Sequence, residues 1–172
     1  VGQPRLGVGP PPHLQVAAVW QGFDVDGQDV FGAGDAFGQR EAVLDGHVAA
    51  TATLTADIAN GTVPQPDVVI WPENASDIDP ALDRSAFDRI DGAVAAVGAP
   101  TLVGLVAETS DGRGLLNSGV VWSPDSGPGE RYVKRHPVPF GEYVPFRSTL
   151  SRFVTRFDRV PRDFVAGDKP GV

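Results

Sequence analysis

Short apolar runs recur along the chain, and each is bounded by glycine, proline or aspartate. Runs of this length without helical periodicity are typical of buried β-strands. They predict four strands, over residues 14–20, 67–71, 101–107 and 115–122. A weaker run over residues 131–134 predicts a fifth strand, and the polar, glycine-rich residues 110–114 predict a hairpin turn between the third and fourth.

Two segments between these runs contain few helix breakers. Residues 39–60 are rich in Ala and Leu, which favours a helix. Asp79 followed by Pro80 is typical of a helix start, with Asp as the N-cap and Pro at the first position, and this helix should end at Gly98. The order strand, helix, strand, helix, strand and hairpin predicts an α/β fold, with a mixed sheet and flanking helices.

Stretches of biased composition set the expected domain boundaries. Residues 1–13 are rich in Pro and Gly and predict a linker, and residues 22–38, rich in Gly and Asp, predict a loop. Residues 14–172 are then expected to form one domain or most of one, and the 41% hydrophobic content of the whole chain is enough for a core. No apolar run approaches the ~20 residues that span a bilayer, so the chain itself is expected to be soluble. The absence of cysteine excludes disulfides and Cys-type metal sites within these residues.

Charge is distributed unevenly. The net charge of −8 argues against nucleic-acid binding by the chain as a whole. A basic block nevertheless covers residues 131–162, where two acidic side chains, Glu142 and Asp158, stand against Arg131, Lys134, Arg135, Arg147, Arg152, Arg156, Arg159 and Arg162. Residues 146–162 would put arginines on one helical face and Phe and Leu on another, which predicts binding to an anionic membrane surface. A helix that packs on the protein's own core is the alternative.

Three charged residues are candidates for chemistry. Glu73 follows the second predicted strand, where open α/β sheets place their ligands, and Trp71 beside it would shield it from water as suits a general base. Lys134 ends the fifth predicted strand, and its ammonium would stabilise an oxyanion. Glu142 follows in a proline-stiffened loop, where it would hold Lys134 charged and oriented. Taken alone, a glutamate such as Glu73 is more commonly a helix-capping or surface acid, and the alternative for Lys134 is a solvated lysine. The loop that carries Glu142 is equally well a surface connector. His136 is expected to be a structural hydrogen-bonding residue.

A family resemblance is carried by two segments, Val69-Ile-Trp-Pro-Glu73-Asn74 and Tyr132-Val-Lys134-Arg-His136-Pro-Val-Pro-Phe-Gly-Glu142-Tyr-Val-Pro145. Together they resemble the nitrilase-like (carbon–nitrogen hydrolase) domain of apolipoprotein N-acyltransferases. The resemblance covers roughly residues 14–172 and implies the αββα sandwich of that superfamily, here incomplete, with a Glu–Lys–Cys triad. It implies that Glu73 is the general base, Lys134 the oxyanion-stabilising group and Glu142 a supporting glutamate.

The resemblance also implies a reaction. A cysteine would attack the fatty-acyl ester of a phospholipid, and the thioester would pass the acyl chain to the N-terminal amine of a lipid-modified lipoprotein cysteine. No metal or organic cofactor is implied. That cysteine belongs to a later strand, so the 172 residues alone are predicted to be inactive. The full-length protein would lie in the cell membrane, with this domain on the extracytoplasmic side. Residues expected to contact substrate are Trp71, His136, Phe140, Tyr143, Arg152 and Arg156.

Two other functions remain open at this point. A soluble carbon–nitrogen hydrolase acting on an amide or nitrile would use Glu73 and Lys134 in the same roles. A lipid- or protein-binding module that has lost its nucleophile would use neither as a catalyst. A cysteine encoded beyond Val172, among apolar strand residues, would favour an enzyme over such a module.

Overall fold

Five strands form one sheet in a computed structural model of the chain, in which residues 14–19, 36–146 and 162–170 are described. The strands are β1 (Val16–Ala18), β2 (Val68–Ile70), β3 (Thr101–Glu108), β4 (Leu115–Ser123) and β5 (Gly127–Val133). Their order in the sheet follows the chain. The first three are parallel, and β4 and β5 each pair antiparallel with the strand before them. The mixed sheet predicted from the sequence is therefore confirmed.

Two helices connect the parallel strands. They are α1 (Ala36–Ala59), between β1 and β2, and α2 (Arg84–Val97), between β2 and β3. Right-handed crossovers that advance in the same direction along a sheet put both helices on one face. The core lies between that face and the helices, and its side chains at 1% exposure or less include Leu44, Ile90, Val94, Trp71, Val103 and Trp122.

The second helix begins at Arg84, and the predicted start at Pro80 is wrong. Asp83 is the N-cap, because its side chain accepts a 2.8 Å hydrogen bond from a backbone N–H of the first turn. Asp79 instead accepts the backbone N–H of Glu108 at 2.9 Å, which ties the segment before the helix to the end of β3. Asp79 Oδ1 also accepts the backbone N–H of Ala81 at 2.9 Å, so Asp79 caps a separate short turn that precedes α2.

Other boundaries differ by a few residues. Helix α1 begins at Ala36 and not at the predicted residue 39, so the last residues of the predicted loop 22–38 belong to the helix. Strand β5 begins before the predicted residue 131, because its Gly- and Pro-containing start pairs with β4 although it buries little apolar surface. The predicted end of α2 is confirmed, with Gly98 in the left-handed conformation at φ 65°. The predicted hairpin turn is confirmed by a 3.0 Å hydrogen bond from Thr109 N to Gly114 O.

The second face of the sheet has no layer packed on it among the described residues. Four apolar side chains on this open face are 36–44% exposed: Ile70, Leu102, Val121 and Tyr132. One sheet with one layer of helices is half of the sandwich that the resemblance implies. Neither helix within the described ranges is long and apolar enough to cross a membrane.

Several predictions concern residues that the structure does not describe. They are the linker over residues 1–13, most of the loop over 22–38, and the amphipathic helix with its arginines within 147–161. The substrate contacts expected of Arg152 and Arg156 belong to the last of these segments. These remain predictions, as does the domain boundary at residue 14.

Candidate active site

Glu73 lies in the turn that follows β2, and this turn rests directly on β3. A Cβ atom on Gly104 of β3 would be 2.1 Å from the carbonyl oxygen of Pro72 and 2.9 Å from the Cα of Glu73. Only glycine permits so close an approach of the two backbones. Beyond the turn, Ser76 N donates to Gly104 O at 3.2 Å, which continues the pairing with β3. The position of the Glu73 backbone is therefore fixed by its contact with the middle of the sheet.

Lys134 joins two carboxylates that are far apart in sequence. It follows β5 directly, and its backbone N–H donates to Asn117 O of β4 at 2.8 Å. Its Nζ donates to Glu73 Oε1 at 2.8 Å and to Glu142 Oε1 at 3.1 Å. The side chains of Lys134 and Glu142 are 29% and 15% exposed, whereas that of Glu73 is 54% exposed. The three candidate residues thus form one cluster, with Glu73 on its solvent side.

Asn117 of β4 completes the cluster and is the residue that the sequence analysis missed. Its amide Nδ2 donates to Glu73 Oε1 and, at 3.0 Å, to Glu142 Oε1. The residue is only 6% exposed, and both amide hydrogens have carboxylate acceptors. A signal was available, because a lone asparagine inside an apolar strand needs a polar partner.

The loop that carries Glu142 is closed by hydrogen bonds within its own residues, and its predicted stiffness stays a prediction. Val138 N donates to Glu142 Oε2 at 2.6 Å, and Glu142 N donates to Val138 O at 2.8 Å. Phe140 has a φ of 64°, and its N–H donates to Tyr143 O at 2.7 Å. These bonds orient the carboxylate of Glu142 toward Lys134 and leave it little freedom.

The charges of the cluster shift one another's pKa values. The pKa of Lys134 is raised, and the main cause is its hydrogen bond with Glu73. Partial burial acts in the opposite direction and lowers this pKa, whereas the hydrogen bond and charge of Glu142 raise it further. Burial would raise the pKa of Glu142, but hydrogen bonds from Val138 N, Asn117 and Lys134, together with the lysine's charge, outweigh burial and lower that pKa. Near neutral pH the lysine is therefore an ammonium and Glu142 a carboxylate.

A cleft of about 330 Å³ lies beside the cluster on the open face of the sheet. Glu73, Asn117 and Lys134 line one part of it, and apolar side chains such as Leu102 and Tyr132 line the rest. An ammonium and a carboxylate at the end of an apolar cleft are suited to a carbonyl compound with an apolar substituent. In the part of the chain that the structure describes, no three His, Asp or Glu side chains are grouped to hold a metal ion.

Comparison with known proteins relates the sequence to an enzyme family. An apolipoprotein N-acyltransferase of Mycolicibacterium smegmatis is 45% identical over 138 residues, which is 78% of this chain and 23% of that protein. Another, of Allorhizobium ampelinum, is 32% identical over 136 residues, or 74% of this chain and 24% of that protein. The chain is a homologue of the apolipoprotein N-acyltransferases. It spans less than a quarter of the length of these two relatives.

The fold comparison agrees with this relationship to apolipoprotein N-acyltransferases. The structure of a carbon–nitrogen hydrolase from Helicobacter pylori G27 matches with a TM-score of 0.51 and 14% identity, over 90% of this chain and 45% of that one. The nitrilase-like α/β fold class is therefore confirmed. No protein-family model matches the sequence.

The resemblance to apolipoprotein N-acyltransferases also marked other residues, and these lie in different environments. Trp71 is 1% exposed and faces α1, where its Nε1 donates to Thr51 Oγ1 at 3.0 Å. The expected shielding of Glu73 by Trp71 is therefore not seen, because the Trp71 side chain packs in the core while the Glu73 side chain is 54% exposed. Phe140 is 61% exposed and Tyr143 partly buried. His136 is exposed and has no hydrogen-bond partner among the described residues, so the structural role expected of it is not seen.

Proposed function

We propose that this chain supplies the general base and the oxyanion-stabilising lysine of an apolipoprotein N-acyltransferase. The reaction moves a fatty-acyl chain from a phospholipid to the N-terminal amine of a lipid-modified lipoprotein cysteine. The observation that carries the proposal is the contact of Lys134 with both Glu73 and Glu142, in a chain 45% identical to such an enzyme. The nucleophile is a cysteine outside these 172 residues, which contain none.

Glu73 is the base because one of its oxygens is available. Both hydrogen bonds that it accepts, from Lys134 and Asn117, end on Oε1. Oε2 has no partner among the described residues. In the first half of the reaction, Oε2 takes the thiol proton as the thiolate attacks the ester carbonyl. It returns that proton to the leaving alkoxide, so that a lysophospholipid departs and the acyl chain remains as a thioester.

Lys134 is the electrostatic partner of this chemistry. Its Nζ is the cation of the cluster and lines the cleft, and the raised pKa of Lys134 keeps it charged near neutral pH. Negative charge that develops on the carbonyl oxygen is stabilised by this ammonium in both halves of the reaction. In the second half, the lipoprotein amine attacks the thioester, Glu73 takes the amine proton, and an amide forms as the cysteine leaves.

The loop between Lys134 and Glu142 supports a phospholipid as the acyl donor. Its apolar side chains are exposed: Val138 is 53% exposed and Phe140 61% exposed, and Phe146 just beyond is 81% exposed. Exposed aromatic and aliphatic side chains next to an active site are suited to acyl chains and to the membrane interface. We assign Phe140 to contacts with the acyl donor on this basis, and the same assignment for the partly buried Tyr143 rests on the family resemblance alone.

The test is a chimera of the Mycolicibacterium smegmatis relative, in which the matching segment is replaced by this chain. We expect the chimera to form an acyl thioester from phospholipid and to acylate a lipoprotein N-terminus, both measured by mass spectrometry. Glu73→Gln should lower the rate of thioester formation roughly 10²- to 10⁴-fold, since it removes the proton acceptor. Glu130→Gln, at an exposed glutamate of β5, is the matched control and should leave the rate unchanged.

Two outcomes would contradict the proposal. A folded chimera that forms no acyl thioester would exclude acyl transfer by this site. Release of free acid from an amide or nitrile, with no transfer to a lipoprotein amine, would instead favour a carbon–nitrogen hydrolase.

A further inference from the structure

Residues 163–167 lie between the start of β4 and the loop that carries Glu142. On the side of β4, Leu115 N donates to Asp163 O at 3.0 Å, and Val165 N donates to Leu115 O at 2.8 Å. These two bonds form a parallel bridge between Leu115 and Phe164. The segment is therefore joined to the central sheet, although it comes far later in the chain.

The other side of the same segment contacts the active-site cluster through its backbone. Phe164 N donates to the carbonyl oxygen of Glu142 at 2.8 Å, and Gly167 N donates to the carbonyl oxygen of Lys134 at 2.9 Å. In addition, Asp163 Oδ1 accepts the N–H of Val144 at 3.1 Å. Lys134 and Glu142, whose side chains form an ion pair, thus both accept a backbone hydrogen bond from this one segment.

Gly167 allows this close contact. A Cβ atom on Gly167 would lie 2.4 Å from the carbonyl oxygen of Val133 and 3.0 Å from its carbonyl carbon. Both are backbone atoms at the end of β5, which cannot turn aside as a side chain does. Any larger residue at this position must therefore push the segment away from Lys134 or shift Lys134 itself.

We propose that residues 163–167 form a positioning strap, which fixes the backbones of Lys134 and Glu142 so that Nζ stays within reach of Glu73. A lysine side chain has four flexible carbons, so the place of its ammonium depends on a well-held backbone. Lys134 is held on one side by Asn117 O and on the other by Gly167 N. The strap's catalytic importance rests on the proposed acyl transfer, but its effect on the geometry of the cluster does not.

Hydrogen exchange tests the strap in the unmodified 172-residue chain. The amides of Phe164 and Gly167 should be protected to the same degree as that of Lys134, because all three donate to backbone carbonyls. Exchange of the Phe164 and Gly167 amides at the rate of an unfolded chain, with the Lys134 amide still protected, would overturn the proposal.

Gly167→Ala tests the catalytic consequence, with Gly92→Ala as the matched control. A Cβ atom on Gly92, in α2, meets no heavy atom within 4 Å. In the chimera, Gly167→Ala should slow thioester formation roughly 100-fold, the effect of a displacement of about 1 Å at a reacting group, with little change in KM for the phospholipid. Gly92→Ala should leave both unchanged. If Gly167→Ala lowers only the unfolding midpoint while the folded enzyme keeps its rate, the segment is merely a sheet edge and the proposal fails.

A titration separates failure of the strap from failure of the proposed function. Carbon-13 NMR of the Glu142 carboxyl in the 172-residue chain should show a higher pKa in Gly167→Ala than in the wild type, because Lys134 is displaced. Should the wild-type chimera transfer no acyl chain, the proposed function fails, and this titration still decides the strap. An unchanged Glu142 pKa in Gly167→Ala, with an active wild-type chimera, would refute the strap alone.

Discussion

On the face of the sheet that the helices cover, Val103 and Val120 are 0% and 6% exposed, whereas the adjoining Leu102 and Val121 on the open face are 37% and 44% exposed. The strand alternation that buries one residue presents the next to the cleft. The helix-covered face is packed with large apolar side chains that contribute stability. The open face carries Asn117 and the end of β5, and with them the residues proposed to carry out the chemistry.

This division means that stability and catalysis belong to neighbouring residues of the same strands. A substitution on the covered face should change the free energy of unfolding, and one in the cluster of Glu73, Asn117, Lys134 and Glu142 should change the rate of acyl transfer. The predictions below test that separation.

Removing the ammonium should have the largest effect. In the chimera, Lys134→Met should lower the rate of thioester formation about 10²- to 10³-fold, the usual effect of losing one oxyanion-stabilising donor. The free energy of unfolding, measured by urea denaturation, should change by less than about 1 kcal/mol, because the ion pairs of Lys134 are partly exposed. Arg135→Met, at the adjacent exposed cation, should alter neither quantity. A loss of activity equal in both variants would show that general charge, rather than this ammonium, matters.

A pair of identical substitutions compares the two faces directly. Val120→Ala removes buried methyl groups and should lower the free energy of unfolding by about 2 kcal/mol. Val121→Ala, one residue further along β4, should lower it by less than about 1 kcal/mol, since that side chain is 44% exposed. Chemical denaturation of both variants provides the measurement. Equal losses would mean that another layer covers the open face in solution.

Asn117→Asp should disturb the cluster while keeping its shape. It removes a donor shared by Glu73 and Glu142 and adds a third negative charge beside a single lysine. The pKa of Glu142 should therefore rise, and thioester formation in the chimera should slow about tenfold, equivalent to the loss of roughly one hydrogen bond to a charged group. Carbon-13 NMR follows the titration. Asn60→Asp, at an exposed site after α1, is the control, and a Glu142 pKa that responds equally to both changes would argue against a specific role for Asn117.

The dependence of stability on pH should be the smallest effect. The pKa of Glu142 is lower in the folded chain than in the unfolded chain, so its stabilising contribution is complete above the unfolded value and is lost as pH falls through the folded one. For Lys134 the pKa is raised, so its contribution is lost only at high pH, as pH rises through the folded value.

Urea denaturation between neutral and acid pH measures the contribution of Glu142. The wild type should lose more stability on acidification than Glu142→Gln does. The pKa of Asp111 is also lowered, first by a hydrogen bond from Thr109 and then by one from the Arg113 backbone, so Asp111 adds to the acid dependence of both proteins. The contribution of Glu142 is therefore read from the difference between the two curves. Parallel curves would show that Glu142 has no net electrostatic role.

Local patterns predicted the elements better than their ends. The strands and both helices follow from apolar runs and breakers, and Gly98 ends α2 as its conformational freedom suggests. The start of α2 was wrong because Asp79 and Asp83 are equivalent as isolated caps. Each accepts a backbone N–H that follows it closely, and Asp79 Oδ2 in addition accepts the Glu108 N–H of β3, a contact that only the folded chain shows. The start of β5 was missed for a related reason, since pairing with β4 extends it without apolar residues.

The sequence by itself determined which chemistry is available: a glutamate after one strand, a lysine after another, a second glutamate in a stiff loop, and a family resemblance that relates them. Tertiary structure alone decided that Nζ of Lys134 contacts both carboxylates, that Asn117 bridges them, and that Trp71 faces the core. The physical reason is that these relationships depend on strand register and on backbones in contact at Gly104 and Gly167. Residues 61 positions apart meet only through the pairing of β2, β3, β4 and β5, which no local pattern encodes.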